Sequence, residues 1–306
     1  STHEPSWDLP SELASDLVIY WPTAYHWSPT VEWLNHIFIS ISKLVGVERA
    51  VIDQGPYEGT VIAQFFYQGH SYRVAIDFSD YMDHICQEAL EGATCYFKMQ
   101  YRRDGYGDDR IVPGGYPVSS PYFYQFLSKL RQDCDQKAKL YDVYGRFGLR
   151  FSAEIRRKAI ALLSAAPDLN FVGGTEFVRN SRFLRDMART KIGIDLPGNG
   201  DFCFRLIDYL AIGVCVIRPR PRTELPIPLI PNEHIIYCHE DLSDLVPLCR
   251  RYLADDAERE RIARNARNYF DRYLHREQLA RYYLHQFARA LSRRAGGWPM
   301  PLGHRV

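Results

Sequence analysis

The sequence has no run of 18 uninterrupted apolar residues, so it offers no membrane-spanning helix. It also has no CxxC pair. Its seven cysteines stand at 86, 95, 134, 203, 215, 238 and 249, an odd and scattered set unlike a disulfide framework. Cys203 and Cys215 fall inside apolar runs, where a thiol packs as a small hydrophobe, and a reducing, cytoplasmic setting is expected. There is no HExxH, no DxD at a strand end and no cysteine–histidine group, so no metal site is expected. The opening Ser1-Thr-His-Glu-Pro lacks the basic-then-apolar layout of a secretion signal. Charge of one sign is not in excess either. Lysine and arginine number 38 against 37 acids, net +1, which removes any global pull toward nucleic acid.

What is present is a 306-residue chain of ordinary globular composition, 46% hydrophobic and 25% charged. That length is two domains of about 150 residues by size alone. The charge balance conceals an asymmetry: residues 1–100 carry a net −9, whereas 250–294 hold twelve arginines against six acids, net +6. A basic tail meeting an acidic front is one reading, and an anionic partner is the other. The strip Tyr96 to Arg103 mixes aromatics with bases, but its acidic surroundings argue against a nucleic-acid surface.

Hydrophobic periodicity lays out the first part as strand Leu17–Tyr20, helix Val31–Val45 and strand Arg49–Asp53. A hairpin follows, Val61–Tyr67 and Tyr72–Phe78 about Gln68-Gly69-His70, then a helix Tyr81–Leu90 and a strand Ala93–Gln100. Residues 104–121 are dense in glycine and proline and read as a surface loop, and Tyr122–Arg131 reads as helix. The polar run Gln132–Lys137 marks the expected boundary, giving domains 1–135 and 136–290 and a tail 291–306. Beyond it, strands Tyr141–Tyr144, Leu169–Val172, Lys191–Asp195, Val214–Ile217 and Ile235–Cys238 alternate with helices Phe151–Ala165, Thr175–Thr190 and Asp201–Ile212. From Leu242 the chain reads as helix nearly to Arg294. Such alternation indicates a parallel sheet with helices on both faces.

Ligands of open parallel sheets bind at the carboxyl ends of strands. Three glycine-bearing strand ends stand out: Gly145-Arg146, Gly173-Gly174 and Pro197-Gly198-Asn199-Gly200. The third runs into a helix whose first turn holds Phe204 and Arg205, with Asp208 one turn on. Bare amides, a positive helix end and an arginine suit a diphosphate, although a tight turn with a surface Arg–Asp pair explains the same residues.

The runs Lys191–Ile217 (KIGIDLPGNGDFCFRLIDYLAIGVCVI), Pro231–Leu245 and Asp255–Phe270 resemble the donor-binding half of GT-B glycosyltransferases. The pattern is similar to that of CAP10-like protein O-glucosyltransferases and CgeB-like glycosyltransferases, over about residues 139–290. The resemblance implies two Rossmann-like domains, α/β throughout, with a cleft between them and a last helix crossing back to the first. It implies a nucleotide-sugar donor, UDP-sugar by preference, and a glycan, protein or small-molecule acceptor, with no further cofactor and no metal. Arg205 would neutralise the diphosphate, Gly198, Asn199 and Gly200 would lie against nucleotide or sugar, and Phe204 and Asp208 would flank them. Gly174 and Arg146 complete the donor set, and Lys98 or Arg102 would reach the phosphates from the first domain. Asp108-Asp109 is the alternative metal pair.

Many retaining members of this class carry two glutamates seven residues apart where this chain has Asp201 and Asp208, a departure that favours inversion. Inversion requires a general base from the first domain. Asp53 and Asp77, at strand ends, are placed ahead of His26, which follows the first strand in an aromatic loop; capping or turn roles fit each of them equally well. Two rival readings accompany this one, a binding chain without turnover and another GT-B enzyme such as an epimerase.

Overall fold

A computed structural model describes residues 6–25, 31–57 and 59–294, with the side chains of 31–33 excepted. The chain divides into two compact units. The first comprises residues 1–115, 224–226 and 275–306, and the second 116–223 and 227–274. The division thus falls after Gly115, well ahead of the expected boundary at 135, and the terminal helix returns to the first unit.

The first unit is built from α1 (Ser11–Asp16), β1 (Val18–Pro22), α2 (Val31–Ser42), β2 (Gly46–Ala50), β3 (Thr60–Tyr67), β4 (His70–Asp77), α3 (Gln87–Glu91), β5 (Ala93–Lys98) and β6 (Ile111–Pro113). Its sheet has the order β2-β1-β3-β4-β5-β6. Five strands run parallel and β3 runs against its neighbours. The cause is local. Gln68 and Gly69 both adopt positive φ, 50° and 77°, and Tyr67 faces His70 across them. That two-residue turn matches the twist of a hairpin and forces β3 and β4 antiparallel.

Several expected elements differ: the helix expected over Tyr81–Leu90 is only Gln87–Glu91, that over Thr175–Thr190 is Asn180–Ala188, and the helix expected from Leu242 onward is broken into separate segments. The second strand is Gly46–Ala50 rather than Arg49–Asp53, because it is a mostly exposed edge with no apolar alternation to mark it. β6 lies hidden in the glycine- and proline-rich stretch, a short edge strand closed by Pro113, which lacks a ladder donor.

The second unit contains α4 (Phe123–Gln136), β7 (Tyr141–Arg146), α5 (Ala153–Ser164), β8 (Phe171–Gly174), α6 (Asn180–Ala188), β9 (Thr190–Ile194), α7 (Phe204–Ile212), β10 (Cys215–Pro219), β11 (Ile236–Cys238), α8 (Leu245–Ala254) and α9 (Asp256–Tyr269). α9 runs on into a π-helical turn, Phe270–Leu274. All five strands are parallel, in the order β11-β10-β9-β7-β8. Val143, Ile192, Ile194, Cys215 and Ile217 form its core with Ala159, Leu163 and Ile262 from the covering helices.

Helix α10 (Arg276–Arg294) packs on β5 and α2 of the first unit. The Tyr283 ring meets Phe97 edge-on at 4.1 Å, and its hydroxyl donates to Gly114 O at 2.5 Å. Phe287 meets Phe65 at 4.8 Å. Aromatic burial of this kind, rather than its arginines alone, ties the helix to that unit.

Candidate anion site of the second unit

In this unit the chain passes from β7 out to β8 on one side and then returns to β9 on the other. The carboxyl ends of β7 and β9 therefore diverge at a topological switch point, where open α/β sheets form a crevice. The loops leaving those ends, 147–152 and 195–203, are stitched together. Ser152 Oγ donates to Gly198 O at 2.6 Å, from a left-handed backbone with φ 51°. Arg156, on α5, donates from Nε to Pro197 O at 3.0 Å and from Nη1 to Gly148 O at 2.5 Å, so one guanidinium spans both loops. Gly198 leaves room for this crossing. A Cβ there would lie 3.2 Å from Arg156 Nη2 and 3.0 Å from Cys203 Sγ.

At the centre is Asp195, wholly buried. Its Oδ1 accepts from Arg205 Nη1 at 2.8 Å and its Oδ2 from Arg218 Nη1 at 2.6 Å. Arg218 also donates to Pro219 O and Asp201 O, so each of its three nitrogens holds a protein acceptor. Arg205 lies over the Phe147 ring, 4.6 Å from its centroid, and its buried Nε has no hydrogen-bond partner. Arg156 has no carboxylate partner among the described residues and is only 7% exposed. Three guanidinium groups thus surround one carboxylate, a local surplus of two positive charges in a partly water-excluded crevice.

The electrostatics follow from this accounting. Burial and then the Arg205 charge push the Arg156 guanidinium below its ordinary value. Burial works most strongly against Arg205, but the Asp195 charge and hydrogen bond, with Cys203 and Tyr209 nearby, together hold Arg205 above its ordinary value. Asp208, one turn along α7, is pushed up to about 7 by burial, against the Ser119 amide that donates to it at 3.0 Å.

The expected donor residues divide. Arg205, Gly198 and Gly200 lie at the crevice, and Asn199 projects from the same loop, exposed. α7 starts at Phe204 rather than Asp201, whose carboxylate accepts from the Arg222 amide at 2.7 Å instead. Phe204 packs beside Tyr116, ring centroids 5.2 Å apart. Arg146 is bonded on the α6 side, where Nε donates to Tyr144 Oη at 3.0 Å, and that hydroxyl donates to Asp186. Gly174 closes β8 in register with Arg146, with a positive φ of 125°. Arg156, Arg218 and Asp195 were not foreseen. The two arginines share a signal, a charge placed where the pattern demands an apolar residue: Arg156 shares a helix face with Ala159 and Leu163, and Arg218 lies inside an otherwise apolar strand.

In the first unit Asp77 is 1% exposed. It accepts from Tyr96 Oη at 2.6 Å, Lys98 Nζ at 3.0 Å and the Ser79 amide at 2.9 Å. Its carboxylate and the Lys98 ammonium are thereby committed to the sheet, and neither faces solvent. Asp53 lies beyond β2, exposed, with Oδ1 accepting from the Gly55 amide at 2.8 Å in a turn. Arg102 pairs with Asp83 at 3.0 Å, and Asp108 with Arg110 at 2.7 Å. His26 lies outside the described residues. Among the described residues no group of three or more metal-ligating side chains occurs, and no helix is long and apolar enough to cross a membrane.

A cavity of about 420 Å³ opens at the opposite, amino-terminal edge of the second sheet, lined by Lys139, Arg264 and Arg267 among others. Its basic lining has a structural cause. α4, α6 and α7 end there, and cations cap their carbonyls: Lys139 on Cys134 O and Ala188 O, Arg267 on Ile212 O. The switch-point arginines, by contrast, crowd one another.

Residues 151–285 match the model of a family described as glycosyl transferase-like. No curated protein matches the chain. Among solved structures it is similar to a glycosyltransferase from Rickettsia africae ESF-5, 14% identical over 88% of this chain and 84% of that one, TM-score 0.48. It is also similar to a sucrose-phosphate synthase from Thermosynechococcus elongatus, 18% identical over 55% and 42%, TM-score 0.36. The family match supports glycosyl transfer and, with it, a sugar donor and an acceptor. Two α/β units with predominantly parallel sheets agree with the GT-B class expected from the sequence.

Proposed function

We propose that this chain transfers a sugar from a nucleoside diphosphate sugar, a UDP-sugar by preference, to a hydroxyl acceptor with inversion and without a metal. The observation that carries the reading is the surplus of two positive charges at the β7/β9 switch point, inside the segment that matches the glycosyl transferase-like family. Arg156 and Arg205 would take the diphosphate, with the loop 198–200 against the nucleotide or sugar. In the displacement the acceptor oxygen bonds to the anomeric carbon as the bond to the diphosphate oxygen breaks, and the arginines receive the charge left behind. Asp53 takes the acceptor proton in this account. It is the exposed carboxylate among the base candidates, and its Oδ2 makes no hydrogen bond to the described residues. Kinship with the CAP10-like or CgeB-like families, a cytoplasmic setting and seven free thiols belong to the same proposal.

A thermal-shift panel of UDP-, GDP-, dTDP- and CMP-sugars tests it, since a ligand that binds only the folded state raises its melting temperature. Stabilisation by a diphosphate donor is expected. No response to any of the four would refute the reading. Sugar transfer in the presence of a hydroxyl acceptor distinguishes a transferase from a binding chain without turnover, and conversion of the donor alone would point to an epimerase.

A further inference from the structure

We infer that Asp195 is the positioning residue of the switch-point site, dividing one buried carboxylate between two arginines so that Arg205 is held with donors to spare. The inference rests on the diphosphate reading above. Asp195 is fixed at both ends, for its backbone amide also donates to Ile217 O at 3.1 Å and prolongs the sheet by one residue. The two arginines it holds differ in what they retain. Arg218 is spent on Asp195, Asp201 O and Pro219 O, and is 1% exposed. Arg205 uses Nη1 alone, on Asp195 and on Leu196 O at 3.3 Å. Its Nε is buried without a partner, and its Nη2 makes no hydrogen bond to the described residues. Phe147 supports the plane of the group from below.

An arginine on a flexible stem loses rotamer freedom whenever it grips a ligand, and a preset guanidinium loses less. Only a carboxylate can preset this one. An asparagine would offer one acceptor oxygen to two donors, and its amide would face the other guanidinium donor against donor. The same change adds one positive charge to the site. Coulombic attraction alone therefore predicts that Asp195→Asn binds an anion more tightly, whereas positioning predicts that it binds more weakly.

The test is calorimetric titration of the full chain with pyrophosphate and with UDP, for the wild type, Asp195→Asn, Asp195→Glu, Arg205→Ala and the Asp195→Asn/Arg205→Ala pair. Asp195→Asn should weaken pyrophosphate about tenfold, the equivalent of one charge-assisted contact. In the Arg205→Ala background it should change nothing further, because the effect passes through Arg205. Asp195→Glu keeps the buried charge while displacing the carboxylate by a methylene, so it carries the test if Asp195→Asn does not fold, and it should also weaken binding. Unchanged or tighter binding in the folded Asp195 variants, or an equal loss in both backgrounds, overturns the inference while leaving the anion site standing. A wild type that binds neither probe overturns the diphosphate reading and the inference together.

Discussion

Replacing Arg156 by methionine separates a ligand-binding arginine from a structural one. The side chain is 7% exposed, forms no ion pair with a carboxylate among the described residues, and is held below its ordinary value by burial first and the Arg205 charge second. Its bonds to main-chain carbonyls go to Gly148 and Pro197, residues that are exposed and half-buried, so water can replace the arginine there. Against those two bonds stands relief from burying an unpaired charge beside another, a cost of similar size. The stability of Arg156→Met should therefore stay within about 1 kcal/mol of wild type, a melting shift of only a few degrees. UDP affinity should fall by about 1.5–3 kcal/mol, roughly ten- to a hundredfold. Arg218→Met is the contrasting case. It leaves Asp195 to Arg205 alone and takes the donor from three buried or part-buried acceptors, Asp195 Oδ2, Asp201 O and Pro219 O, so a destabilisation of about 3–5 kcal/mol is expected. Urea unfolding and calorimetry on the two variants, side by side, decide the matter. If Arg156→Met loses as much stability as Arg218→Met, or keeps its UDP affinity, the reasoning is refuted.

Asp208 has a folded value raised to about 7 from an ordinary 3.8, so the folded state binds the extra proton. Its contribution to stability is greatest below about pH 4, falls as pH rises to about 7 and is flat above, by up to about 4 kcal/mol; the stability difference between wild type and Asp208→Asn should follow that course in urea unfolding, and a pH-independent difference would contradict it. Lys98→Met leaves the Asp77 carboxylate buried and unpaired, and should cost about 3–5 kcal/mol in the same assay. Asp53→Asn should reduce sugar transfer by about 10²–10⁴-fold with UDP affinity unchanged, whereas full turnover would remove Asp53 as base. Turnover should survive EDTA, and a loss restored by manganese would overturn the metal-free proposal.

The second unit was legible because each of its strands and helices carries its own period, and the glycine-bearing turn 197–200 marks a strand end without reference to anything distant. The arginine site was half legible. Arg205 follows that turn directly, but Arg156 reaches the crevice from a different helix, and only the fold sets the two side by side. Asp195 stood in the run that bears the family resemblance, yet its burial between two arginines depends on β10 lying next to β9. The first unit was harder for physical reasons. An exposed edge strand has no apolar alternation, so β2 shifted, and Asp53 moved from a strand end into a turn. Asp77 does end its strand, but cross-strand pairing with β5 places Lys98 opposite it and Tyr96 within reach, which closes it off. The return of α10 to the first unit was implied by the resemblance; the aromatic contacts that fasten it were not.

The most direct measurement is a crystal structure of the full chain soaked with UDP. The account predicts phosphate density between the loops 147–152 and 195–203, within hydrogen-bond distance of Arg156 and Arg205. Phosphates bound elsewhere, at the basic amino-terminal cavity for example, would contradict it.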